Sequence, residues 1–250
     1  MKKSLLLSLC SLLLINVATA SSDGINWSYD GATGPEHWGK LAAEFSQCSQ
    51  GKNQSPININ TTDVIDADQS DVILNYSMLR ADKIINNGHT VQVVMRSGGV
   101  IKVDGQDFEL KQFHFHTPSE NTVNNRHFPM EAHFVHQNKA GDIAVLAMMF
   151  TPGKADKTVA ALWESLPMKK GQSAKLSSTV LKAIESETKI KKYYRFNGSL
   201  TTPPCSEGVR WIVMETPMTV SEEQVKSLQK ALKHANNRPV QPLNARLVTN

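Results

Sequence analysis

Six short runs, DVILNYS, HTVQVVMR, VIKVDGQDFELKQFHFH, MEAHFVHQ, DIAVLAMMF and VRWIVMET, either alternate apolar with polar residues or are apolar throughout. Turn signals separate them: Asn87-Gly88, Ser97-Gly98-Gly99, Asp104-Gly105 and Ala140-Gly141-Asp142. A period of two, interrupted by such turns, predicts strands joined by tight connections, and so a large, mainly antiparallel sheet. Helices are few and peripheral. DKTVAALWESL is one; SEEQVKSLQKALKHA is the other, with Ser221 and Gln224 as a capping-box pair and Val225, Leu228 and Leu232 on one face. The N-terminal stretch from Asp23 to Asn60 is dense in Gly, Asn, Pro and Ser and reads mostly as ordered loop. With no internal repeat or long linker, residues 21–250 read as one domain.

Within the run LKQFHFH, successive side chains point to opposite faces, so Gln112, His114 and His116 share one face and Phe113 and Phe115 the other. The run MEAHFVHQ puts His133 on one face with Glu131 and Val135, while His136 points the other way. If the two strands are neighbours, His114, His116 and His133 converge. Three neutral imidazoles without a nearby cysteine suit zinc, and three ligands leave a fourth position for water, the catalytic pattern. Gln112 and Glu131 each stand two residues before a ligand, where they can accept from the outer ring nitrogens of His114 and His133.

The first twenty residues, MKKSLLLSLCSLLLINVATA, combine a basic start, an apolar run and a small-residue cleavage site, the pattern of a secretory signal peptide. Removing Lys2 and Lys3 with it leaves 25 Lys+Arg against 23 Asp+Glu, close to neutral. No basic stripe interleaved with aromatics is present, which argues against nucleic acid. No later apolar run is long enough to cross a bilayer, which argues against a membrane partner after signal removal. The lysine-rich stretches PMKKG and KIKKYYR read as solvated surface. Cys10 leaves with the signal, so Cys48 and Cys205 remain. In an oxidising compartment they most simply form one disulfide, the alternative being two buried thiols.

The segments QFHFH, SEN, EAHFVH, NNGH, GSLTTPP, GPEHWG, QSPINI and RPVQPLNAR together resemble the α-class carbonic anhydrases, and the matches span residues 27 to 246 in the family's order. The resemblance implies a mainly β fold: a single domain on a large twisted, mostly antiparallel sheet of about ten strands with peripheral helices. It implies one zinc ion on His114, His116 and His133, and reversible hydration of carbon dioxide to bicarbonate by zinc-bound hydroxide. It adds the backbone carbonyl of Asn236 as the outer partner of His116, and Thr201 as a gatekeeper whose hydroxyl donates to Glu120. Thr202 is implied to bind bicarbonate or an entering water, and Val135, Val145, Leu200, Val209 and Trp211 to wall the carbon dioxide site. His89 matches the proton-shuttle position, and a solvent-facing histidine suits that task. Tyr29, Asn87 and Gln92 match positions that order the water chain.

Three positions depart from common family usage: Gln92 stands where many members have Asn, Thr117-Pro118 replaces Trp-Gly, and Asn121 replaces a His. The short connection from Glu120 to Glu131 and the cysteine pair resemble exported bacterial members, implying a periplasmic enzyme, with a homodimer allowed by family analogy. Two other readings compete. A cupin-type metalloenzyme would recruit Glu120 as a fourth ligand, and a non-catalytic relative would lack a zinc histidine.

Overall fold

The computed structural model describes residues 24–250; the leader read from residues 1–20 lies outside the described residues. In chain order the strands are β1 (Asn58–Ile59), β2 (Val72–Tyr76), β3 (Arg80–Asn86), β4 (Val91–Ser97), β5 (Val100–Val103), β6 (Gln106–His116) and β7 (Thr122–Val123). There follow β8 (Met130–Gln137), β9 (Ile143–Pro152), β10 (Ser173–Ala174), β11 (Ser186–Ile190), β12 (Tyr193–Ser199), β13 (Glu207–Met214) and β14 (Met218–Val220). Twelve of them join one sheet with the main order β10-β3-β4-β6-β8-β9-β13-β12, and β1 and β7 pair by themselves.

The expected sheet is present, but it is mixed. β9 runs parallel to β13 and to β14. Parallel neighbours need a long crossover, and the chain between β9 and β13 supplies one through two helices and three strands. Two main-path strands carry no clean sequence signal. β3 begins with charged residues that stay in water, and β12 carries Arg195, Asn197 and Gly198 among its apolar positions. Both are ordered by their partners rather than by their own propensity.

The helices are α1 (Trp38–Leu41), α2 (Gln47–Gln50), α3 (Lys157–Trp163), α4 (Ser178–Ile184) and α5 (Glu222–Leu232). In α5 both halves of the Ser221/Gln224 capping box form, and Val225, Leu228 and Leu232 are buried. The N-terminal stretch is less of a loop than its composition suggests: α1 and α2 each make one turn there, with Trp38 and Cys48 buried. In KIKKYYR the lysines at 191 and 192 are exposed, as expected of surface, while Ile190 and Tyr193 on either side of them are buried.

A β-bulge organises the central strand. Between Leu110 and Gln112 the pairing of β6 with β8 shifts by one residue. Phe108 and Leu110 before the bulge, and Phe113 and Phe115 after it, therefore all enter the same core despite their opposite parity. Phe113 stacks on Phe134 with ring centroids 5.0 Å apart. The other face of β9 and β13 packs Val145, Ala147, Met149, Val209, Trp211 and Val213 with Phe196.

His136, on the apolar face, is fully buried. Its Nε2 accepts from the Tyr76 hydroxyl at 2.6 Å and its Nδ1 faces the Ala144 carbonyl at 3.3 Å. Burial pushes its pKa from 6.5 down to about 3, outweighing the carbonyls that favour a proton. The unfolded chain therefore takes up this proton first. The resulting stability is fully present above pH 6.5 and is lost as pH falls toward 3. Urea titrations across that range should show the wild-type midpoint falling, with a shallower fall in His136→Gln.

Cys48 and Cys205, 157 residues apart, are joined by a disulfide with Cα atoms 5.0 Å apart. Closing so long a loop contributes about 2 to 5 kcal/mol by loss of unfolded-state entropy. The Cys48→Ser, Cys205→Ser double variant should lose stability of that order in urea unfolding.

Candidate metal centre and active-site cavity

The register of β6 on β8 sets His114 opposite His133, His116 opposite Glu131 and Gln112 opposite Val135. All six side chains thus share the face turned away from the phenylalanines. The three imidazole rings lie 4.9, 5.3 and 4.5 Å apart, centroid to centroid. One ring nitrogen from each falls within 4.8 Å of the other two, and Glu120 is not in that group. A four-ligand site of the cupin kind is therefore not what this fold assembles.

Each outer nitrogen is engaged. His114 Nδ1 donates to Gln112 Oε1 at 2.7 Å, and His116 Nδ1 donates to the Asn236 carbonyl at 2.6 Å. His133 Nε2 lies 2.9 Å from Glu131 Oε1, held by proximity and charge rather than along a straight N–H···O line. Glu131 is fixed in turn. Its Oε2 accepts from the backbone N–H groups of Glu120 and Asn121, and its Oε1 from the Asn121 side chain at 2.8 Å. Asn121, which the sequence marks only as a departure from the family, is thus a buried support of the third histidine.

The inner side of the triad fits a cation. His116 Nε2 is buried without a hydrogen-bond partner, a costly state that a metal at this point relieves. Burial first, then mutual repulsion, pushes His114 and His133 well below the usual imidazole range. Burial does the same to His116, against the Asn236 carbonyl and the Glu131 charge. All three are then neutral, with lone pairs available, near pH 7. Three imidazoles with carboxylate, amide and carbonyl partners behind them form a donor set suited to zinc.

Beside the triad stands Glu120, fully buried. Its Oε1 accepts the backbone N–H of Arg238 at 2.8 Å, and its Oε2 lies 3.4 Å from His116 Nε2. Burial pushes its carboxyl up, while the Arg238 N–H and a hydrogen bond from the Thr201 side chain pull it back. Arg238 is itself buried; its guanidinium donates to Gln54, to the Ser55 carbonyl and to the Cys48 carbonyl. Burial lowers its pKa only to about 10, so it stays a cation. Its bond to the Cys48 carbonyl connects the disulfide to Glu120. On the other side, Cys205 closes the Thr201-Thr202 turn by donating its N–H to the Thr202 carbonyl at 2.8 Å. Arg238 lay inside a quoted motif, RPVQPLNAR, but nothing in its spacing announced this role.

The triad floors a cavity of about 240 Å³ lined on one side by Val135, Val145, Leu200 and Trp211, with Thr201 and Thr202 at its edge. Val209 packs with Val145 and Trp211 in one buried cluster. Tyr29, Asn87, His89 and Gln92 line the other side, joined by Trp27 and Thr90. His89 does not simply face solvent. It is half-buried, with its ring stacked on Trp27 at 3.8 Å and 11°. Burial, then the charges of Lys170 and His234, push its pKa down to about 4. Trp27 was not singled out in the sequence, where an isolated aromatic in a Gly- and Asn-rich stretch carries no signal.

The profile of eukaryotic-type carbonic anhydrases matches residues 33–250. The chain is 43% identical over 242 residues to a carbonic anhydrase of Pectobacterium carotovorum, covering 97% of this chain and 98% of that one. It is 45% identical over 237 residues to a carbonic anhydrase of Neisseria gonorrhoeae, covering 92% and 90%. Among solved structures, the α-carbonic anhydrase of Thermovibrio ammonificans in complex with the inhibitor sulfanilamide is similar, with a TM-score of 0.84 and 48% identity over 91% of this chain and 100% of that one.

Because Asn121 acts on a metal site only through Glu131 and His133, Asn121→Ala should leave the fold intact and weaken zinc binding on the order of 10- to 100-fold. Competition against a chromogenic chelator measures this directly, and His133→Ala in the same assay should abolish tight binding.

Proposed function

This chain belongs to the eukaryotic-type carbonic anhydrase family and is a carbonate dehydratase; from that premise we propose that it hydrates carbon dioxide reversibly with zinc held by His114, His116 and His133. The observation that carries the zinc assignment is the triad's geometry: two outer nitrogens hydrogen-bonded and the third 2.9 Å from Glu131, with one nitrogen of each ring gathered in a group that lines a cavity. Zinc bound there supplies a Lewis acid that makes a water nucleophilic near neutral pH, the figure for this family being a water pKa of about 7.

The remaining work falls to the chain. Thr201 donates its hydroxyl hydrogen to Glu120, so its oxygen is left to accept from the nucleophile. That selects one orientation of the attacking oxygen, with a lone pair turned toward the wall. Carbon dioxide has no net dipole or charge to grip, so the apolar side chains of Val135, Val145, Leu200 and Trp211 suit it as a receptor. Thr202, at the cavity's edge, can hydrogen-bond the departing bicarbonate.

His89 is assigned the transfer of the product proton out of the cavity, along water ordered by Tyr29, Asn87 and Gln92. Against Trp27 its proton affinity is too low to hold a proton near neutrality. The ring therefore takes up its proton away from the stack and releases it on returning. Residues 21–250 act as the catalytic domain, and the Cys48–Cys205 disulfide favours an oxidising compartment, the periplasm if residues 1–20 direct export.

The test is stopped-flow carbon dioxide hydration by the mature chain, before metal removal, after it and after zinc is restored. Activity should vanish with the metal and return with zinc. Thr201→Ala should lower kcat/KM on the order of 100-fold with zinc content unchanged. A folded, zinc-loaded wild type without hydration would refute the mechanism.

A further inference from the structure

His234 follows the end of α5, where Lys233 turns left-handed at φ 69° and ends the helix. Its half-buried ring lies over Tyr29, centroids 5.9 Å apart and planes at 28°. The ring is clamped by backbone. Nδ1 is 2.9 Å from the carbonyl of Ala235, and Nε2 is 3.1 Å from the carbonyl of Gly88, the residue before His89. Two residues on, the Asn236 side chain donates to the His89 carbonyl at 3.1 Å. The segment 234–236 therefore grips the turn that carries His89 at two successive carbonyls. Lys170 covers the same turn: a Cβ on Gly88 would come 2.6 Å from its Cδ.

We propose that His234 is a second proton-carrying side chain, which receives the proton from His89 and delivers it to bulk buffer. The inference rests on the relay through His89 proposed above. Both nitrogens of His234 face carbonyl oxygens, which only accept. A neutral imidazole has one N–H and satisfies one of them; a ring that has gained a proton satisfies both. At His234 a proton thus completes a hydrogen bond. At His89 it meets the opposite: the neighbouring Lys170 charge acts against it. Tyr29, which touches the His234 ring and lines the cavity, is the other titratable group at this contact, and burial keeps it in the phenol form. The step moves one proton: an N–H bond breaks on His89, and through intervening water one forms on the vacant nitrogen of His234. The buffer base then removes it.

The experiment compares wild type, His89→Ala, His234→Ala and His234→Gln in weakly buffered medium. The kcat is read by stopped flow, and kcat/KM by isotope exchange between carbon dioxide and water at equilibrium. Gln keeps an N–H donor for the Gly88 carbonyl but cannot carry a proton. The expected result for His234→Gln is a fall in kcat on the order of tenfold with kcat/KM unchanged, reversed by added imidazole. An unchanged kcat in His234→Gln would overturn the proposal, and a deficit in His234→Ala that Gln repairs would make the residue a mere support of the turn. Parallel loss of kcat and kcat/KM would also overturn it. Wild type without isotope exchange is a different failure, since it removes the zinc-site reading and this relay with it.

Discussion

The pairing of β6 with β8 is the constraint on which the site depends. A strand register is all or none with respect to face: a slip of one residue would turn His114 and His116 into the aromatic core and Phe113 and Phe115 into the cavity. Burial of those rings, at roughly 1.5 to 3 kcal/mol each, makes such a slip prohibitive. The register that protects the core therefore also holds the triad. The bulge before Gln112 lets one strand serve both ends, feeding Phe108 and Leu110 into the core before it and turning the histidines to the opposite face after it.

Around that register, polar side chains are shared rather than added. Asn236 offers its carbonyl to His116, its Oδ1 to the Thr117 N–H, and its side-chain N–H groups to the carbonyls of Phe115 and His89. One asparagine thus ties a metal-ligand position to the proton-exit turn. Arg238 plays the matching part on the far side, with its backbone on Glu120 and its guanidinium on the segment that holds Cys48. A buried cation is tolerated there because three bonds satisfy its guanidinium and the Glu120 charge stands near. The disulfide then belongs to the same network, since Cys205 ends the turn that presents Thr201 and Thr202.

In the proposed mechanism the two sides of the cavity do opposite tasks with the same physics. The apolar wall excludes water from the place where an uncharged molecule must sit. The side lined by Tyr29, Asn87, His89 and Gln92 must conduct a proton and carries the polar groups. Burial of His89, whose ring lies against Trp27, pushes its pKa down to about 4. An acceptor further out, with carbonyls arranged around it, completes such a path.

Much of this was legible in the linear chain because it is periodic or local. Alternation in LKQFHFH and MEAHFVHQ assigns the two faces, the partners at Gln112 and Glu131 lie two residues from their histidines, and the capping box of α5 spans four residues. What escaped it is long-range. Trp27 meets His89, Asn121 braces Glu131, and Arg238 reaches Cys48. The strands β3 and β12 took their form from the adjoining strands β4 and β13, and the parallel pairing of β9 with β13 joins segments far apart along the chain. The sequence by itself determined which residues could share a face and what they could chemically do, since side-chain direction within one strand is set by its own backbone. Which faces meet, which nitrogens remain free for a metal and how firmly each proton is held were decided only by the tertiary structure, because burial and hydrogen-bond partners exist only once distant segments have packed.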